Sequence, residues 1–491
     1  MPDTLTGDTS EPSGSTAKTA RTNLGVEALI EAEERKFLER QPRSGELQRT
    51  ARRSLAGGVT SSWQITKPQA VWLSHGQGSK IYDVDGNEYV DLHGGYGAGL
   101  AGHGHPAIVE AVQRQVTRGT HFAQPTEDAL WVAEELARRW GLPLWRFTNS
   151  GTESTMDAVH LMRAVTGRDH IIKVEGCYHG HHDSVQVSVW VGDDDDIGPI
   201  GRPKGVVSSS GIPRGITDLT HIATFNDLAS VEHMLEEHPR EIAGMIIEPF
   251  MMNAGIVKPV EGYLQQLKEL LHRHGALLTF DEVKTGLTVG PGGATRLLGV
   301  TPDIACLAKA IGGGLVIGAV GGTVEVMEHV ANGDYEMVGT FNGNPLSIAG
   351  ARAMLEHVAL PEAYERISKH RETIHRELTA SIEEHGLAAH IVDVGAKGCV
   401  TFRKEEVRNL RDVLAIDDRY NHAHWLVQHN GGVFLPPWGK TEQWLVSVQH
   451  GEEDIDRFVT NFSKLARAMA VSVRSRSTTT GQPASKSQCP C

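Results

Sequence analysis

The chain has 491 residues, of which 40% are hydrophobic and 22% are charged, so it has enough apolar material for a large core and more than one domain. Its formal net charge is −14 at pH 7, which disfavours binding to nucleic acid or to an anionic membrane surface. The sequence has no apolar run of about 18 residues, no signal-peptide core and no CxxC pair, so we expect a cytoplasmic protein with free thiols.

The predicted organisation places two tails around a central globular region. Both ends are rich in Ser, Thr, Gly and Pro, a composition typical of disorder. Between them we predict one large domain and one small domain built from both ends of the chain. The predicted segments are a disordered tail at 1–20, an N-terminal part of the small domain at 21–94, a large ligand-binding domain at 95–345, the C-terminal part of the small domain at 346–471 and a second disordered tail at 472–491.

Regular elements are predicted throughout the central region. Residues 23–40 and 453–470 have helical patterns, and 79–92 is predicted to form a hairpin because Asp85-Gly86 is a favoured turn pair. From about residue 105 to 330, short apolar segments alternate with helical patterns, which predicts a mostly parallel sheet covered on both faces. The predicted strands are 145–149, 170–176, 243–250, 276–282 and 303–308.

Chemically versatile residues stand at the carboxyl ends of three predicted strands. Asp281 and Lys309 each complete or follow an apolar strand, and Ser150-Gly151-Thr152 joins a strand to a helix. Open α/β sheets bind ligands at this edge. Singly, each group has an ordinary explanation as a helix cap or a solvated charge. Together they suit one cofactor, because lysine forms an imine with an aldehyde, aspartate keeps a pyridine nitrogen protonated and a helix N-terminus binds phosphate.

Longer motifs point to a protein family whose cofactor has an aldehyde, a pyridine nitrogen and a phosphate. The chain contains, in order, GHGHP, RFTNSGTES, GCYHGHHD, IIEP, LLTFDEVKTG, PDIACLAKAIGGG and GTFNGNPLS. Through these motifs, the region from about 50 to 470 resembles the class III aminotransferases, which depend on pyridoxal 5′-phosphate (PLP), in the branch that contains glutamate-1-semialdehyde aminomutases and β-amino-acid aminotransferases. The resemblance implies an α/β protein of PLP-dependent transferase fold type I, whose large domain has a mostly parallel seven-stranded sheet and whose small domain is α+β.

The resemblance assigns three residues to the cofactor ring. Lys309 would hold PLP as a Schiff base and then act as general acid and base. Asp281 would pair with the pyridinium nitrogen, and Tyr178 would stack on the ring face. Thr340 would reach the phosphate of the neighbouring subunit, which implies a homodimer with shared active sites.

The same resemblance implies the remaining cofactor contacts. Ser150, Gly151 and Thr152 would bind the phosphate at the N-terminal end of a helix. Asn253 is expected near the ring hydroxyl, and Glu248 lies in the same segment that borders the cofactor in such enzymes.

The histidines of GCYHGHHD suggest a competing interpretation. His179, His181 and His182 are clustered as metal ligands often are, but the sequence shows no accompanying set of Cys, Asp or Glu ligands. In the family this segment follows the stacking tyrosine. We therefore predict no metal site.

The segment expected to face the substrate differs from both groups of relatives. Aminomutases have a GGVNSPVR-like segment whose serine and arginine meet the substrate, whereas residues 57–64 read GGVTSSWQ, so Ser61 is retained and Gln64 replaces the arginine. β-Amino-acid aminotransferases have an arginine near the position of Ser62. Because glutamine cannot replace the bidentate contact of a guanidinium, any substrate carboxylate must be held elsewhere.

Three further residues complete the predicted substrate wall. Trp63 would add an aromatic surface suited to a larger or less charged substrate. Lys440 is a candidate for holding a carboxylate. Glu442 falls near the position of a gating glutamate in the family if one insertion is allowed.

Two functions remain open from the sequence. The leading one is transfer of an amino group between a small-molecule amino donor and a keto or aldehyde acceptor, and the alternative is an intramolecular aminomutase reaction. Both use Lys309, and the loss of arginine at Gln64 favours the first. A scaffold or binding protein without PLP is disfavoured because Lys309, Asp281 and the phosphate-binding turn are all present.

Overall fold

The computed structural model describes residues 14–192, 195–437 and 439–474. The predicted tails at 1–20 and 472–491 lie mostly outside this part of the chain. Where they are described, at 14–20 and 472–474, they continue the first and last helices. At the N-terminal end, the sequence between 15 and 24 contains neither Pro nor Gly, so no residue there interrupts the helix.

Strands and helices alternate along most of the described chain. In chain order, the strands are β1 (Leu73–Gln77), β2 (Lys80–Asp83), β3 (Glu88–Asp91), β4 (Leu144–Thr148), β5 (His170–Val174), β6 (Thr220–Ala223), β7 (Ile242–Ile247), β8 (Leu277–Asp281), β9 (Ile304–Ala308), β10 (Gly318–Gly322), β11 (His390–Val394), β12 (Lys397–Thr401), β13 (Val433–Phe434) and β14 (Trp444–Leu445). The α-helices are α1 (Gly14–Arg40), α2 (Pro42–Ala51), α3 (Pro106–Val116), α4 (Glu127–Trp140), α5 (Gly151–Thr166), α6 (Arg214–Thr217), α7 (Leu228–Glu237), α8 (Tyr263–Arg273), α9 (Gly293–Leu298), α10 (Val324–Ala331), α11 (Pro345–Ala353), α12 (Pro361–His385), α13 (Leu410–Leu414), α14 (Asp418–Asn430) and α15 (Glu452–Arg474). Among these helices, none combines the length and the apolar character needed to cross a membrane.

A seven-stranded sheet forms the centre of the fold, in the order β4-β10-β9-β8-β7-β5-β6. Neighbouring strands from β9 to β6 pair in parallel, whereas β10 is antiparallel to both β9 and β4. Every residue of β7 is buried, as expected for a strand covered on both faces. The mostly parallel seven-stranded sheet implied by the resemblance is confirmed, and all five strands predicted from the sequence belong to it.

Two strands of this sheet, β6 and β10, were not predicted. The sequence of β10 is GAVGG, and glycine is unfavourable in strand interiors unless another group comes very close. Such close approaches occur here. A Cβ atom on Gly321 would lie 2.5 Å from the indole ring of Trp145, and one on Gly318 would overlap the hydroxyl of Thr148. Packing within the sheet therefore explains the glycine-rich strand.

Smaller sheets are built from both ends of the chain. The hairpin predicted at 79–92 is confirmed by the antiparallel pairing of β2 with β3, and Gly86 at its turn has a φ angle of 85°. Strand β1 extends this sheet on one side, and β13 from the C-terminal region pairs in parallel with β3 on the other. Strands β11, β12 and β14 form a separate three-stranded sheet.

Packing at β10 leads to a stability prediction. Gly321→Ala should lower the free energy of unfolding by about 1–3 kcal/mol, because the added methyl group has no space beside the Trp145 ring. Urea denaturation followed by circular dichroism measures the change. Gly215→Ala is the control, since a Cβ atom at Gly215 would meet no atom within 4 Å. Equal stability of the two variants would contradict the proposed packing constraint.

Candidate active site

A cavity of about 380 Å³ opens at the carboxyl ends of the central strands, a volume within the range of small-molecule sites. Strands β4, β8 and β9 all end at this cavity, which brings together segments that are far apart in sequence. Of the residues predicted for the cofactor or the substrate, those that line it are Ser150, Gly151, Thr152, Tyr178, Asn253, Asp281, Lys309, Glu248, Trp63 and Glu442.

Lys309 enters the cavity directly after β9. Its φ angle is 52°, in the left-handed region where a residue with a side chain is strained, as is common at functional sites. Burial of the ammonium, together with the nearby charge of Lys284, lowers the pKa of Lys309 to about 8. A substantial fraction of the amine is therefore neutral and nucleophilic at mildly alkaline pH.

The carboxylate of Asp281 is held from two sides. Nδ1 of His179 lies 2.8 Å from Oδ2 of Asp281, and the backbone N–H of Val283 donates to Oδ1 at 2.9 Å. Both the imidazole and the carboxylate are buried. Because each carboxylate oxygen has its own partner, these contacts fix the orientation of the carboxylate. The sequence did not reveal the role of His179, since it lies 102 positions from Asp281.

Glu248 connects two segments of the cavity wall. Its carboxylate accepts hydrogen bonds from the backbone N–H groups of Tyr178 and Met252, at 2.9 and 2.7 Å, and from Nδ2 of Asn253 at 2.8 Å. Burial raises the pKa of Glu248. The hydrogen bonds to Glu248 therefore hold Tyr178 and Asn253 at fixed positions along the cavity. The resemblance assigned both of these residues to the cofactor.

The N-terminus of α5 forms another side of the cavity. The hydroxyl of Ser150 caps this helix by accepting a hydrogen bond from the N–H of Glu153 at 3.1 Å. Gly151 and Thr152 occupy the first turn, where backbone N–H groups and the helix dipole favour an anion. A Cβ atom on Gly151 would lie 2.8 Å from Val283, so this close approach of the backbone requires glycine.

Four aromatic side chains form what we call the aromatic wall: Trp63, Tyr96, Tyr178 and Trp190. The ring centre of Trp63 lies 5.4 Å from that of Tyr96, 5.5 Å from that of Tyr178 and 5.8 Å from that of Trp190. The Tyr178 and Trp190 contacts are edge-to-face, a favourable geometry for aromatic pairs. Three of the four, Trp63, Tyr96 and Tyr178, line the cavity and give one side of it a largely apolar surface, while Trp190 packs against Trp63.

Buried lysines next to the cavity were not identified from the sequence. Nζ of Lys284 lies 2.9 and 3.0 Å from the two carboxylate oxygens of Glu442, and both side chains are buried. Lys397 is only 1% exposed, and burial lowers its pKa to about 7. Lys284 stands three positions after Asp281 within LLTFDEVKTG, so the motif contained a signal for it, whereas the position of Lys397 depends on the fold.

Two residues of the predicted substrate wall do not line the cavity. Oε1 of Gln64 accepts hydrogen bonds from the backbone N–H groups of Thr60 and Ser61, at 3.0 and 3.2 Å, so its side chain closes its own turn. Ser61 and Gln64 are both exposed. Within this turn Trp63 lines the cavity, whereas Ser61 and Gln64 do not, and contact of the segment with a substrate stays a prediction.

Lys440 and Thr340 also lie away from this cavity. Nζ of Lys440 donates a hydrogen bond to the carbonyl oxygen of Ile416 at 2.8 Å, and the residue is not part of the cavity lining. A contact of Lys440 with a substrate carboxylate therefore stays a prediction that this cavity does not support. Thr340 is exposed on a turn, outside this cavity.

The three histidines of the GCYHGHHD motif turn to different partners. His179 contacts the buried aspartate, Nδ1 of His181 lies 3.2 Å from the hydroxyl of Thr152, and Nε2 of His182 lies 3.4 Å from that of Thr155. Burial lowers the pKa of His182 to about 3. Each ring thus has its own local contact, so the clustering in sequence does not correspond to convergence on one point.

Comparisons with known proteins agree with this geometry. Residues 64–465 match the sequence profile of the family described as Aminotransferase class-III. A glutamate-1-semialdehyde 2,1-aminomutase from Thermomicrobium roseum is 38% identical over 421 residues, covering 85% of this chain and 96% of that protein. A solved glutamate-1-semialdehyde aminomutase from Pseudomonas aeruginosa PAO1, in complex with PMP, has a TM-score of 0.84 at 30% identity and covers 91% and 99% of the two chains. An ω-transaminase from Sphaerobacter thermophilus has a TM-score of 0.81 at 32% identity, with coverage of 87% and 97%.

Proposed function

Since this chain belongs to the class III aminotransferases, which are PLP enzymes of fold type I, we propose that it moves an amino group between an amino donor and a keto or aldehyde acceptor. The observation that most supports the proposal is that the amine of Lys309, the carboxylate of Asp281 and the N-terminus of α5 line one cavity. A cytoplasmic location is part of the proposal, and the buried free thiols of Cys177, Cys306 and Cys399 agree with it.

The phosphate end of the cavity fits PLP. Ser150 and the backbone N–H groups of Gly151 and Thr152 would hold the phosphate, where the helix dipole favours negative charge. Gly180 also lies very close to this turn. A Cβ atom on Gly180 would lie 2.8 Å from the backbone of Thr152, so a residue with a side chain would not fit there. When bound, PLP supplies an aldehyde for imine formation and an electron-withdrawing ring.

The opposite end of the cavity fits the pyridinium ring. Asp281 would accept a hydrogen bond from the ring nitrogen, since its carboxylate is already oriented by His179 and Val283. Tyr178 would cover one face of the ring, and Asn253 would lie near the ring hydroxyl. In this proposal His179 is a positioning residue, because it acts on the reaction through Asp281.

Lys309 would hold the cofactor and move protons. The lowered pKa of about 8 leaves part of its amine unprotonated, as attack on a carbonyl carbon requires. Once a substrate amine has displaced it, the same nitrogen would carry a proton from one substrate or cofactor carbon to another. The aromatic wall would exclude water on the substrate side.

We also propose a homodimer with shared active sites. Thr340 is exposed outside the cavity of its own subunit, where it is available to contact the phosphate of a partner. Exposed apolar side chains surround this turn, with Val338 at 81% and Phe341 at 58% exposure. Apolar exposure of this extent is typical of surfaces that another chain covers.

An intramolecular aminomutase is the second candidate function. It is supported by the similarity to enzymes of that name at 38% and 30% identity. The cofactor-binding residues do not separate the two reactions, since both use one lysine and one ring-binding aspartate. We favour intermolecular transfer because Gln64 stands where aminomutases have a substrate-binding arginine and does not line the cavity.

A substrate test separates these two functions. The purified holoenzyme should convert an amino donor only when a keto or aldehyde acceptor is also consumed, and each half-reaction should change the absorbance of the bound cofactor. Glutamate-1-semialdehyde supplied alone should be converted weakly or not at all. Rapid formation of 5-aminolevulinate without any acceptor would establish the aminomutase instead.

Lys309→Ala should abolish covalent attachment of the cofactor and lower turnover by about two to four orders of magnitude, the usual contribution of a positioned acid-base group. Borohydride reduction of the wild-type enzyme and peptide mapping should find the pyridoxyl group on Lys309. Lys440→Ala is a matched control, since that side chain lies outside the cavity and should not affect attachment. A pyridoxyl group on any other lysine would disprove the assignment.

The contact between His179 and Asp281 gives a separate prediction. His179→Leu should retain cofactor but slow the chemical step about tenfold to hundredfold, since a hydrogen bond to a charged group is lost. His179→Asn keeps a donor and should recover part of the rate. The absorption spectrum of the bound cofactor should change in His179→Leu and return towards wild type in His179→Asn. If the spectra and rates of both variants equal those of wild type, His179 does not act through Asp281.

A further inference from the structure

Next to the cavity lies one buried amine, that of Lys397, with which no carboxylate of the described residues pairs. Lys284 is paired with Glu442, and both line the cavity. Lys397 is only 1% exposed, yet within the described ranges its Nζ atom donates no hydrogen bond and joins no ion pair. A buried ammonium without an acceptor is costly unless it becomes neutral or an anion binds to it.

Lys397 is close to the cavity from the side of Tyr96. A Cβ atom on Gly97 would lie 3.5 Å from Nζ of Lys397, and the preceding residue, Tyr96, lines the cavity. Within its sheet, Lys397 is paired with Leu445, three residues after Glu442. The amine therefore lies beside the segment of Tyr96 and Gly97, and the strand that carries it is paired with the segment that follows Glu442.

Charge decides which kind of anion fits this place. The two ammonium groups of Lys284 and Lys397 and the carboxylate of Glu442 sum to one positive charge (two minus one). A substrate carboxylate carries one negative charge and would neutralise it. A phosphate monoester carries about −1.5 to −2 at neutral pH and would leave an excess of negative charge.

We propose that Lys397, together with Lys284, forms a subsite that binds a carboxylate of the amino substrate, away from the reacting amino group. This inference rests on the proposed amino-transfer function and names its substrate class: amino compounds that carry a carboxylate. It replaces the expectation, drawn from Gln64 and Trp63, that the substrate is less charged. The positive charge would come here from β12 and from the segment after β8, and not from the turn at 57–64 that carries the arginine in aminomutases.

The titration of Lys397 predicts how binding depends on pH. Burial, and next the charge of Lys284, lower its pKa to about 7, while Glu442 opposes this shift and Lys309 adds to it. His93 also faces this cluster, and burial lowers its own pKa as well. Since the carboxylate binds to the protonated amine, its affinity should fall as the pH rises through about 7.

Isothermal titration calorimetry of the holoenzyme with glutarate, and with the neutral analogue glutaramide, tests the subsite. Wild type should bind glutarate more tightly than glutaramide. Lys397→Met should weaken glutarate binding about tenfold to hundredfold, as expected for a lost hydrogen bond between charged groups. Lys268→Met is the matched control and should bind as wild type does, since Nζ of Lys268 donates to the carbonyl oxygen of Thr301 and the residue does not line the cavity. The melting temperature of Lys397→Met should not fall, because an uncompensated buried amine is removed.

Lys397→Gln keeps a polar side chain without the charge and should lose glutarate binding to the same extent. The subsite is disproved if both Lys397 variants bind glutarate as wild type does, or if wild type binds glutaramide equally well. The half-reaction of wild type with benzylamine and with carboxylate-bearing amines tests the underlying function separately. If no amine reacts but glutarate binding still requires Lys397, the amino-transfer proposal fails and the anion site remains. If amines react but the affinity for glutarate does not depend on Lys397, the subsite is disproved and the amino-transfer proposal stands.

Discussion

The parallel pairing of β8 with β9 determines how the two central residues of the site face each other. Asp281 is paired with Cys306, and the N–H of Glu282 donates to the carbonyl oxygen of Cys306 at 2.9 Å. Lys309 follows three residues later. Because side chains alternate along a strand, a slip of one residue would turn Asp281 to the opposite face of the sheet. The geometry required for cofactor binding therefore comes from the register of two buried strands.

Buried carboxylates in and behind the cavity wall stabilise this geometry. Glu282 accepts hydrogen bonds from Nε1 of Trp140 at 3.0 Å and from the hydroxyl of Thr295 at 2.6 Å, and burial raises its pKa. Glu248 is similarly surrounded by donors. An unpaired charge at either position would cost several kcal/mol, so each carboxylate fixes the segments that donate to it. The orientation of the site and the stability of the fold thus depend on the same hydrogen bonds.

The sequence was sufficient for the features that are local. Asp281 and Lys309 could be predicted because each ends or follows an apolar strand, and the turn at Ser150 because it begins a helix. Contacts between distant segments could not be predicted in this way. The pairing of His179 with Asp281 and the proximity of Lys397 to Lys284 depend on tertiary packing. The position of Lys440 depends on packing in the same way, since its ammonium donates to a carbonyl group of a neighbouring segment and the residue does not line the cavity.

The turn that carries Trp63 is attached differently from the rest of the site. Its neighbours Ser61 and Gln64 are exposed and bond within the turn itself, whereas Asp281 and Lys309 are part of the packed sheet. Substitutions in the turn therefore alter one wall of the cavity without disturbing strand register. A change of side chain at Trp63 would therefore reshape the cavity, while the strands that carry Asp281 and Lys309 would keep their pairing.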